Sequence, residues 1–403
     1  MTKHKLARTT PCDEIELEIE LVMLSPRERG RLVDNPYQRM EAFMSGEFTP
    51  PLDQAKSEAF AEQMLGVLNS GALSLMLSIG HKTGLFDTMS HLAPSTSEQI
   101  ARAAGLQERY VREWLAAMVT GRIMEYDAAQ RTYRLPAEYA AWLTRGAGPN
   151  NLAFQAQYIV LLANVQDEVV DCFVTGGGVP YSSFPQFQRL MAEDSAHIFD
   201  VSLVQTTLPS IPGVVERLQA GIDVADIGCG SGHAINLMAQ AFPHSRFVGY
   251  DISEEGIAAA RSEAKRLGLT NARFEVQDVS HLDTQGRYDL ITAFDSIHDQ
   301  ARPTQVLAAI ARALRSQGMF LMVDFAASSH LEENMDHPLA PFIYTISCNH
   351  CMTVSLSANG EGLGTMWGEQ KARQMLSAAG FTQLEVMQVE GDIFNNYFIV
   401  SKG

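Results

Sequence analysis

Long apolar runs, a paired set of cysteines and an excess of basic residues are all lacking in this 403-residue chain. No run of 18 or more apolar residues occurs, so we predict neither a membrane-spanning helix nor a membrane partner. The first residues, MTKHKLARTTPCDE, lack the apolar segment of a secretory signal, which favours a cytoplasmic location. The five cysteines are an odd number in a long chain, which argues against a disulfide scaffold and for a reducing compartment.

Basic side chains are outnumbered by acidic ones. Thirty Lys and Arg residues against 47 Asp and Glu residues give a formal net charge of −17 at pH 7. Such a charge repels phosphate backbones, so nucleic acid is not expected as a partner. The apolar content of 46% and charged content of 19% are ordinary for globular proteins, and the length predicts two or three domains.

The segment Gly221–His233, which reads GIDVADIGCGSGH, carries the most specific local pattern. An apolar, β-favouring run breaks into Gly228, Gly230 and Gly232, and a helical pattern follows. This order predicts a strand, a glycine turn and a helix. Glycine suits such a turn because it permits positive φ angles and a close approach of the backbone to a ligand. The bare spacing G-x-G-x-G also occurs in turns with a purely structural role.

Two further strand patterns follow the turn. The run Arg246–Tyr250 ends in Asp251, nineteen positions after Gly232, where an acidic side chain would hold ribose hydroxyls. The segment FEVQDVS then places Asp278 and Val279 just past a third predicted strand.

These motifs resemble those of the class I methyltransferases that depend on S-adenosyl-L-methionine (SAM). The resemblance implies an α/β fold with a Rossmann-like, seven-stranded sheet, and SAM as the cofactor. On the positions that match the motifs of the family, it implies cofactor contacts from Asp226, Gly228, Gly230, Gly232, Asp251, Ile252, Asp278, Val279 and Phe294.

The chain ahead of this domain has a mostly helical pattern. The segment Ser95–Glu98 opens a short helix, Gln107–Gly121 forms a second, and MEYDAAQRTYRL predicts a two-stranded wing, which together indicate a winged helix-turn-helix. DNA binding through Arg109 and Arg112 is one interpretation, but glutamates on the same helix dilute their charge. Resemblance to small-molecule O-methyltransferases instead implies a homodimerisation module.

Four segments are predicted along the chain. They are an N-terminal arm with an acidic and aliphatic strand (1–55), a winged-helix dimerisation domain (56–145), a helical connector that forms one wall of the substrate pocket (146–220), and the SAM-binding methyltransferase domain (221–403).

A histidine follows the fourth predicted strand, Tyr288–Phe294. Methyl transfer requires a nucleophile aligned with the methyl carbon and a group that removes its proton. His298 lies where an open α/β sheet places its ligands, and its ordinary pKa suits a general base. The resemblance implies that His298 and Asp299 are a catalytic pair acting on a substrate hydroxyl. The alternative is a histidine that caps or packs the start of a helix.

The long insert of residues 326–368 is rich in polar and aromatic side chains, as pocket walls and lids often are. Cys348 and Cys351 form a C-x-x-C pattern, and His330 or His337 could complete a zinc site, but an ordinary substrate wall is favoured and no metal is predicted. The predicted substrate contacts are Tyr158, Tyr344, His350, Cys351 and Trp367.

The sequence therefore predicts a SAM-dependent enzyme that methylates a small molecule. Oxygen is the favoured acceptor atom because of His298, while nitrogen, sulfur and carbon stay open. A SAM-sensing, DNA-binding regulator is one alternative, which a basic recognition surface would support. A non-catalytic dimer scaffold is another, against which the intact glycines and Asp251 argue.

Overall fold

A computed structural model describes residues 52–389, 392 and 394–403. The predicted acidic strand of residues 12–23 lies outside the described residues, as does the rest of the predicted arm up to residue 51. The chain divides into two compact units, Met1–Val67 and Leu68–Gly403.

The first described helix, α1 (Gln54–Thr83), has 30 residues. By length and composition it could cross a membrane, since one window has a mean hydropathy of 1.3, and 17% of that window is buried. The segments Phe187–Ser210 and Val214–Ala220 pass the same criterion only as a bent pair. Core helices of soluble proteins also pass it, so the absence of a membrane partner and the cytoplasmic location stay predictions.

The predicted winged helix-turn-helix is present. Its short helix begins with a capping box, in which Thr96 and Gln99 bond each other's backbone N–H groups. The buried Trp114 anchors the core of this region, and its indole N–H donates to the carbonyl of Met76 at 2.8 Å. The elements are α2 (Leu85–Ser90), α3 (Ser97–Ala104), α4 (Glu108–Thr120), β1 (Glu125–Asp127) and β2 (Thr132–Arg134).

A series of helices connects this region to the sheet. They are α5 (Ala137–Leu143), α6 (Leu152–Ala163), α7 (Gln166–Thr175), α8 (Phe187–Ser202) and α9 (Val214–Ala220). A π-helical turn, Leu203–Thr207, extends α8.

The second half of the chain forms a seven-stranded sheet. Its strands are β3 (Asp223–Ile227), β4 (Arg246–Asp251), β5 (Ala272–Val276), β6 (Tyr288–Phe294), β7 (Leu314–Phe325), β8 (Gln383–Met387) and β9 (Asn395–Ser401). They lie in the order β5-β4-β3-β6-β7-β9-β8. Strands β3 to β7 pair in parallel, whereas β9 runs antiparallel to β7 and β8. This confirms the predicted fold.

Helices cover both faces of the sheet. Alternate strand residues point to opposite faces and therefore belong to separate hydrophobic clusters. Ile291 and Phe320 belong to one cluster, whereas their neighbours Leu290 and Leu321 belong to the other. The covering helices include α10 (His233–Ala241), α11 (Glu254–Arg266), α12 (Pro303–Ala313) and α15 (Gly368–Ala378). The insert between β7 and α15 contains two helices, α13 (Ala340–Ile346) and α14 (Met352–Ser357). Ligands of such a sheet bind at the carboxyl ends of its strands.

Candidate active site

The glycine turn closes the carboxyl end of β3. The backbone N–H groups of Gly228 and Cys229 both donate to the carbonyl of Tyr250, at 2.8 and 3.0 Å, which ties the turn to β4. Gly232 has a φ of 70°, and a Cβ there would lie 2.5 Å from the Cβ of Ala260, so only glycine fits. A Cβ at Gly230 would meet nothing within 4 Å. The turn therefore leaves open backbone that a cofactor can approach.

The Asp251 carboxylate lies at the end of β4 and is held by backbone donors. The N–H of Gly230 donates to Oδ2 at 2.8 Å, and the N–H of Ser253 donates to Oδ1 at 2.7 Å. Burial raises the pKa of Asp251, an effect that these backbone bonds oppose. Each carboxylate oxygen can accept a further bond, so the group fits a pair of adjacent hydroxyls.

Asp226 is buried inside the sheet rather than exposed at its edge. The Thr292 hydroxyl, on the neighbouring strand β6, donates to Oδ1 at 2.6 Å. Burial raises the pKa of Asp226 to about 7. The Asp226 carboxyl group is therefore held inside the sheet, two residues before the glycine turn.

The other predicted cofactor residues lie at the same edge of the sheet. Asp278 follows β5 and accepts from the backbone N–H of Ser280 at 2.9 Å, while Val279 is buried. Ile252 is 60% exposed, and the ring of Phe294 packs on Phe199. Because β3, β4 and β5 are neighbours, the fold brings the glycine turn, Asp251 and Asp278 to adjacent strand ends. Their contact with SAM stays a prediction.

His298 is buried just beyond β6 and is bonded to a carboxylate. Its Nδ1 lies 2.8 Å from Oδ1 of Asp324, which is 1% exposed and belongs to β7. Burial disfavours the imidazolium, but the Asp324 carboxylate raises the pKa of His298 well above its usual value. With Nδ1–H donating to Asp324, the lone pair of the neutral ring is on Nε2. The side chain of Cys351 also interacts with His298 and raises its pKa.

Asp299 has a different partner. The hydroxyl of Tyr181 donates to its Oδ2 at 2.5 Å, and burial raises the pKa of its carboxyl group. The carboxylate bonded to His298 is therefore Asp324 and not its neighbour in sequence.

The sequence analysis did not identify four polar side chains of the candidate active site: Asp194, Tyr181, Asp295 and Asp324. A signal existed for two of them. Asp324 ends the apolar run MFLMVD, and Asp295 directly follows the fourth strand, so both are acidic residues at carboxyl ends of buried strands. Tyr181 and Asp194 lie in the helical connector, where nothing in the local pattern marked them.

Three of the five predicted substrate contacts, Tyr158, His350 and Cys351, are buried within or beside one hydrophobic cluster. The Tyr158 hydroxyl donates to Asp194 at 2.6 Å, and burial raises the pKa of Asp194 to about 6. His350 stacks on the ring of Phe187, and burial, reinforced by the charge of His298, lowers its pKa to about 3. The Sγ of Cys351 lies 3.5 Å from Nδ1 of His350.

The other two predicted contacts have separate surroundings. Tyr344 is 37% exposed and its hydroxyl accepts from the side chain of Asn334 at 3.3 Å, while Trp367 is part of a hydrophobic core beside the sheet. Within residues 52–389, 392 and 394–403, no three His, Cys, Asp or Glu side chains are grouped to hold a metal ion.

Two family descriptions match the chain. Residues 71–145 match the Rv2258c-like winged HTH domain, and residues 218–388 match a methyltransferase domain. The first range contains the winged helix-turn-helix, and the second contains six of the seven strands of the sheet, β3 to β8.

Curated relatives match only part of the chain. The chain is 24% identical over 157 residues to a malonyl-[acyl-carrier protein] O-methyltransferase of Bacillus cereus, which covers 39% of this chain and 52% of that protein. It is 37% identical over 94 residues to a trans-aconitate 2-methyltransferase of Variovorax paradoxus, covering 22% of this chain and 34% of that protein. The chain thus spans about half the length, or less, of these relatives.

Solved structures match nearly the whole fold. Human N-acetylserotonin methyltransferase in complex with SAM has a TM-score of 0.63 at 16% identity and covers 88% of this chain and 100% of that chain. The mitomycin 7-O-methyltransferase MmcR has a TM-score of 0.62 at 16% identity, covering 86% and 99%. At such identities the likeness establishes the fold. The chain therefore carries a methyltransferase domain with the fold of SAM-dependent methyltransferases, and a winged helix-turn-helix domain precedes it.

Proposed function

We propose that the protein transfers the methyl group of SAM to a hydroxyl group of a small molecule, with His298 as general base. The supporting observation is the position of His298 relative to the glycine turn. A Cβ at Gly228 would lie 2.5 Å from the Cβ of Ser296, so the turn touches the segment that carries His298. The base and the predicted cofactor site are therefore adjacent.

In this proposal Asp324 orients the ring of His298, and His298 removes the proton of the acceptor hydroxyl. SAM, when bound, supplies an electrophilic methyl group on a sulfonium. Asp324 accepts the Nδ1–H bond and so orients the ring with its lone pair on Nε2. As the acceptor oxygen bonds to the methyl carbon and the carbon–sulfur bond breaks, Nε2 takes the hydroxyl proton. The buried Asp324 carboxylate stabilises the imidazolium that results.

The choice of oxygen over nitrogen, sulfur or carbon rests on the need for a base. An alcohol or phenol holds its proton at neutral pH, whereas a thiol or an acidic group gives its proton up more readily. A buried imidazole with a bonded carboxylate is suited to an alcohol or phenol, whose proton a base must remove. A screen of metabolite extracts with isotopically labelled SAM tests this proposal by identifying the labelled product and its acceptor atom.

Replacing Asp251 tests the cofactor site. We expect Asp251→Ala to weaken SAM binding by about 2 to 4 kcal/mol, because two charge-assisted bonds to the ribose hydroxyls would be lost. Calorimetry measures the affinity and circular dichroism checks the fold. The exposed Asp283→Ala variant is the control. Unchanged SAM affinity in a folded Asp251→Ala protein would show that Asp251 does not hold the cofactor.

The proposed assembly is a homodimer built by the winged-helix region. Helix α1 exposes large apolar side chains, among them Leu68 at 70% and Leu75 at 46% exposed, and a second copy of the chain could cover them. We expect light scattering to give twice the chain mass of 44.3 kDa. Leu68→Glu with Leu75→Glu should shift the protein toward monomers, whereas Asn69→Asp should not. A wild-type monomer at micromolar concentration would contradict the proposal.

Contacts within the second helix of the winged region support a role without nucleic acid. Arg109 pairs with Glu113 at 2.5 Å, and Arg112 pairs with Glu108 at 2.8 Å, each one helical turn apart. Both arginines that the DNA-binding interpretation invokes are therefore accompanied by carboxylates. A gel shift with duplex DNA at low salt would reveal a regulator if this proposal is wrong.

A further inference from the structure

A cavity lies between helices α6 and α8, beside the end of α1. Its volume of about 60 Å³ is room for roughly four water molecules. A carboxylate group or a phosphate ion is of similar size. Aliphatic side chains such as Leu161 and Leu190 form part of the lining. The rest of the lining is polar and consists of Lys82, Gln157, Asn164, Gln186, Arg189 and Glu193.

Gln157 contributes a buried N–H donor to this cavity. Its side chain is 6% exposed, and among the described residues its Nε2 has no hydrogen-bond partner. Leaving a buried amide N–H unpaired costs free energy, which a ligand with an acceptor oxygen would recover. Because Gln157 lines the cavity, that acceptor oxygen would lie in the cavity.

Two cationic side chains line the same cavity. Lys82 is in the last turn of α1, and Arg189 is in the first turn of α8. Arg189 donates to the side-chain oxygen of Gln186 at 3.2 Å. In residues 52–389, 392 and 394–403, neither cation forms an ion pair. Their positive charges are therefore available to an anion in the cavity.

The carboxylate at the cavity, Glu193, is bonded to a buried histidine. Nε2 of His81 lies 2.8 Å from Oε1 of Glu193. The Oδ1 of Asn151 accepts from the backbone N–H of Phe154, so its Nδ2 faces Nδ1 of His81 at 3.3 Å. His81 thus accepts at Nδ1 and donates from Nε2 to Glu193. Two cations and one carboxylate give the lining a net charge of +1, in a chain whose formal net charge is −17.

The cavity is separate from the candidate active site. Its lining includes none of the predicted cofactor or substrate contacts. Gln157 precedes Tyr158 in α6, and successive side chains of a helix point about 100° apart around its axis. In α8, Glu193 bonds His81, whereas the next residue, Asp194, accepts from Tyr158. A ligand in the cavity would contact the two helices that carry this last bond, without lying at the bond itself.

We propose that the cavity binds a small oxyanion, a carboxylate or phosphate group, through Gln157, Lys82 and Arg189. This binding goes beyond the proposed methyl transfer and does not depend on it. The oxygens of such a group accept from the Gln157 amide and from both cations, and its charge is opposite to the net charge of the lining. The guanidinium of Arg189 can bond a carboxylate or a phosphate through two N–H groups.

Calorimetry on the full-length protein tests the proposal. The probes are inorganic phosphate and acetate, and acetamide is the neutral analogue of acetate. Excess S-adenosylhomocysteine keeps the anions from the glycine turn, and all titrations share one low ionic strength. We expect at least one anion to bind one site per chain, at least about tenfold more tightly than acetamide. A preference for phosphate or for acetate then identifies the group that the natural ligand has.

Replacing Arg189 removes one of the two positive charges. Arg189→Gln keeps a polar side chain in the first turn of α8, and we expect it to weaken anion binding about 10- to 100-fold. The matched control is Arg102→Gln, which removes an exposed arginine from helix α3. The control should bind both anions as wild type does.

Replacing Gln157 separates a ligand-binding residue from a structural one. Methionine is of similar size and has no N–H group, so Gln157→Met removes the unpaired donor. We expect anion affinity to fall about tenfold, because one hydrogen bond to a charged group is lost. Without ligand, the Tm should stay the same or rise, because the buried donor has no partner to lose.

Three results would overturn the proposal. Neither anion could bind more tightly than acetamide, or both Arg189→Gln and Gln157→Met could leave anion affinity unchanged. A lower Tm of ligand-free Gln157→Met would also contradict it, because the amide would then stabilise the fold by itself. The proposed function fails separately, if labelled SAM yields no methylated product while the anion still binds.

Discussion

His298→Ala should retain its affinity for SAM and lose about 10²- to 10⁴-fold in turnover, since removal of a general base typically costs that much. The physical reason is that the acceptor hydroxyl then keeps its proton as the methyl group approaches. Initial rates with labelled SAM measure the loss, and calorimetry measures cofactor binding. The exposed His330→Ala variant is the control and should turn over at the wild-type rate.

The pH dependence of wild type provides a second observation on the same group. Because Asp324 raises the pKa of His298, the acidic limb of kcat/KM should lie at a higher pH than the usual histidine value near 6.5. Activity should thus rise with pH through the neutral range, and His298→Ala should lose this limb. A variant that stays nearly as fast as wild type would show that no base is needed, which would contradict oxygen as the acceptor.

Asp324→Asn should lower kcat by about 10²- to 10⁴-fold, although Asn has the same shape. An amide next to Nδ1 no longer fixes the tautomer that has its lone pair on Nε2, and it no longer stabilises the imidazolium. Without the carboxylate, burial, which lowers the pKa of His298, is opposed less strongly, so the acidic limb of kcat/KM should move to lower pH. Initial rates and a pH profile measure both effects.

Asp299→Asn is the comparison that separates the two carboxylates near His298. In wild type the Asp299 carboxylate accepts a hydrogen bond from the Tyr181 hydroxyl, whereas the Asp324 carboxylate is bonded to the imidazole of His298. We therefore expect a smaller shift of the acidic limb in Asp299→Asn than in Asp324→Asn. A larger shift would identify Asp299 as the partner of the base during catalysis.

Local patterns in the sequence determined the elements of the fold. The run Tyr288–Phe294 is a strand with the predicted bounds, because apolar β-favouring residues there are followed by polar ones. The glycines after β3 have positive φ, as their spacing predicts. In the winged region, Thr96 and Gln99 form a capping box that is also encoded within four residues. Such features depend on neighbouring residues, so they can be read from the chain alone.

Tertiary structure decided which side chains meet in the candidate active site. The sequence placed His298 correctly beyond the fourth strand, but its bonded carboxylate, Asp324, lies 26 residues away on the adjacent strand. Tyr181, the partner of Asp299, lies 118 residues away in the connector. The register of parallel strands and the packing of distant helices create these contacts, and neither is encoded in a local pattern. The sequence therefore determined the fold, the glycine turn and the position of His298, whereas only the folded chain selected the carboxylate that bonds its imidazole ring.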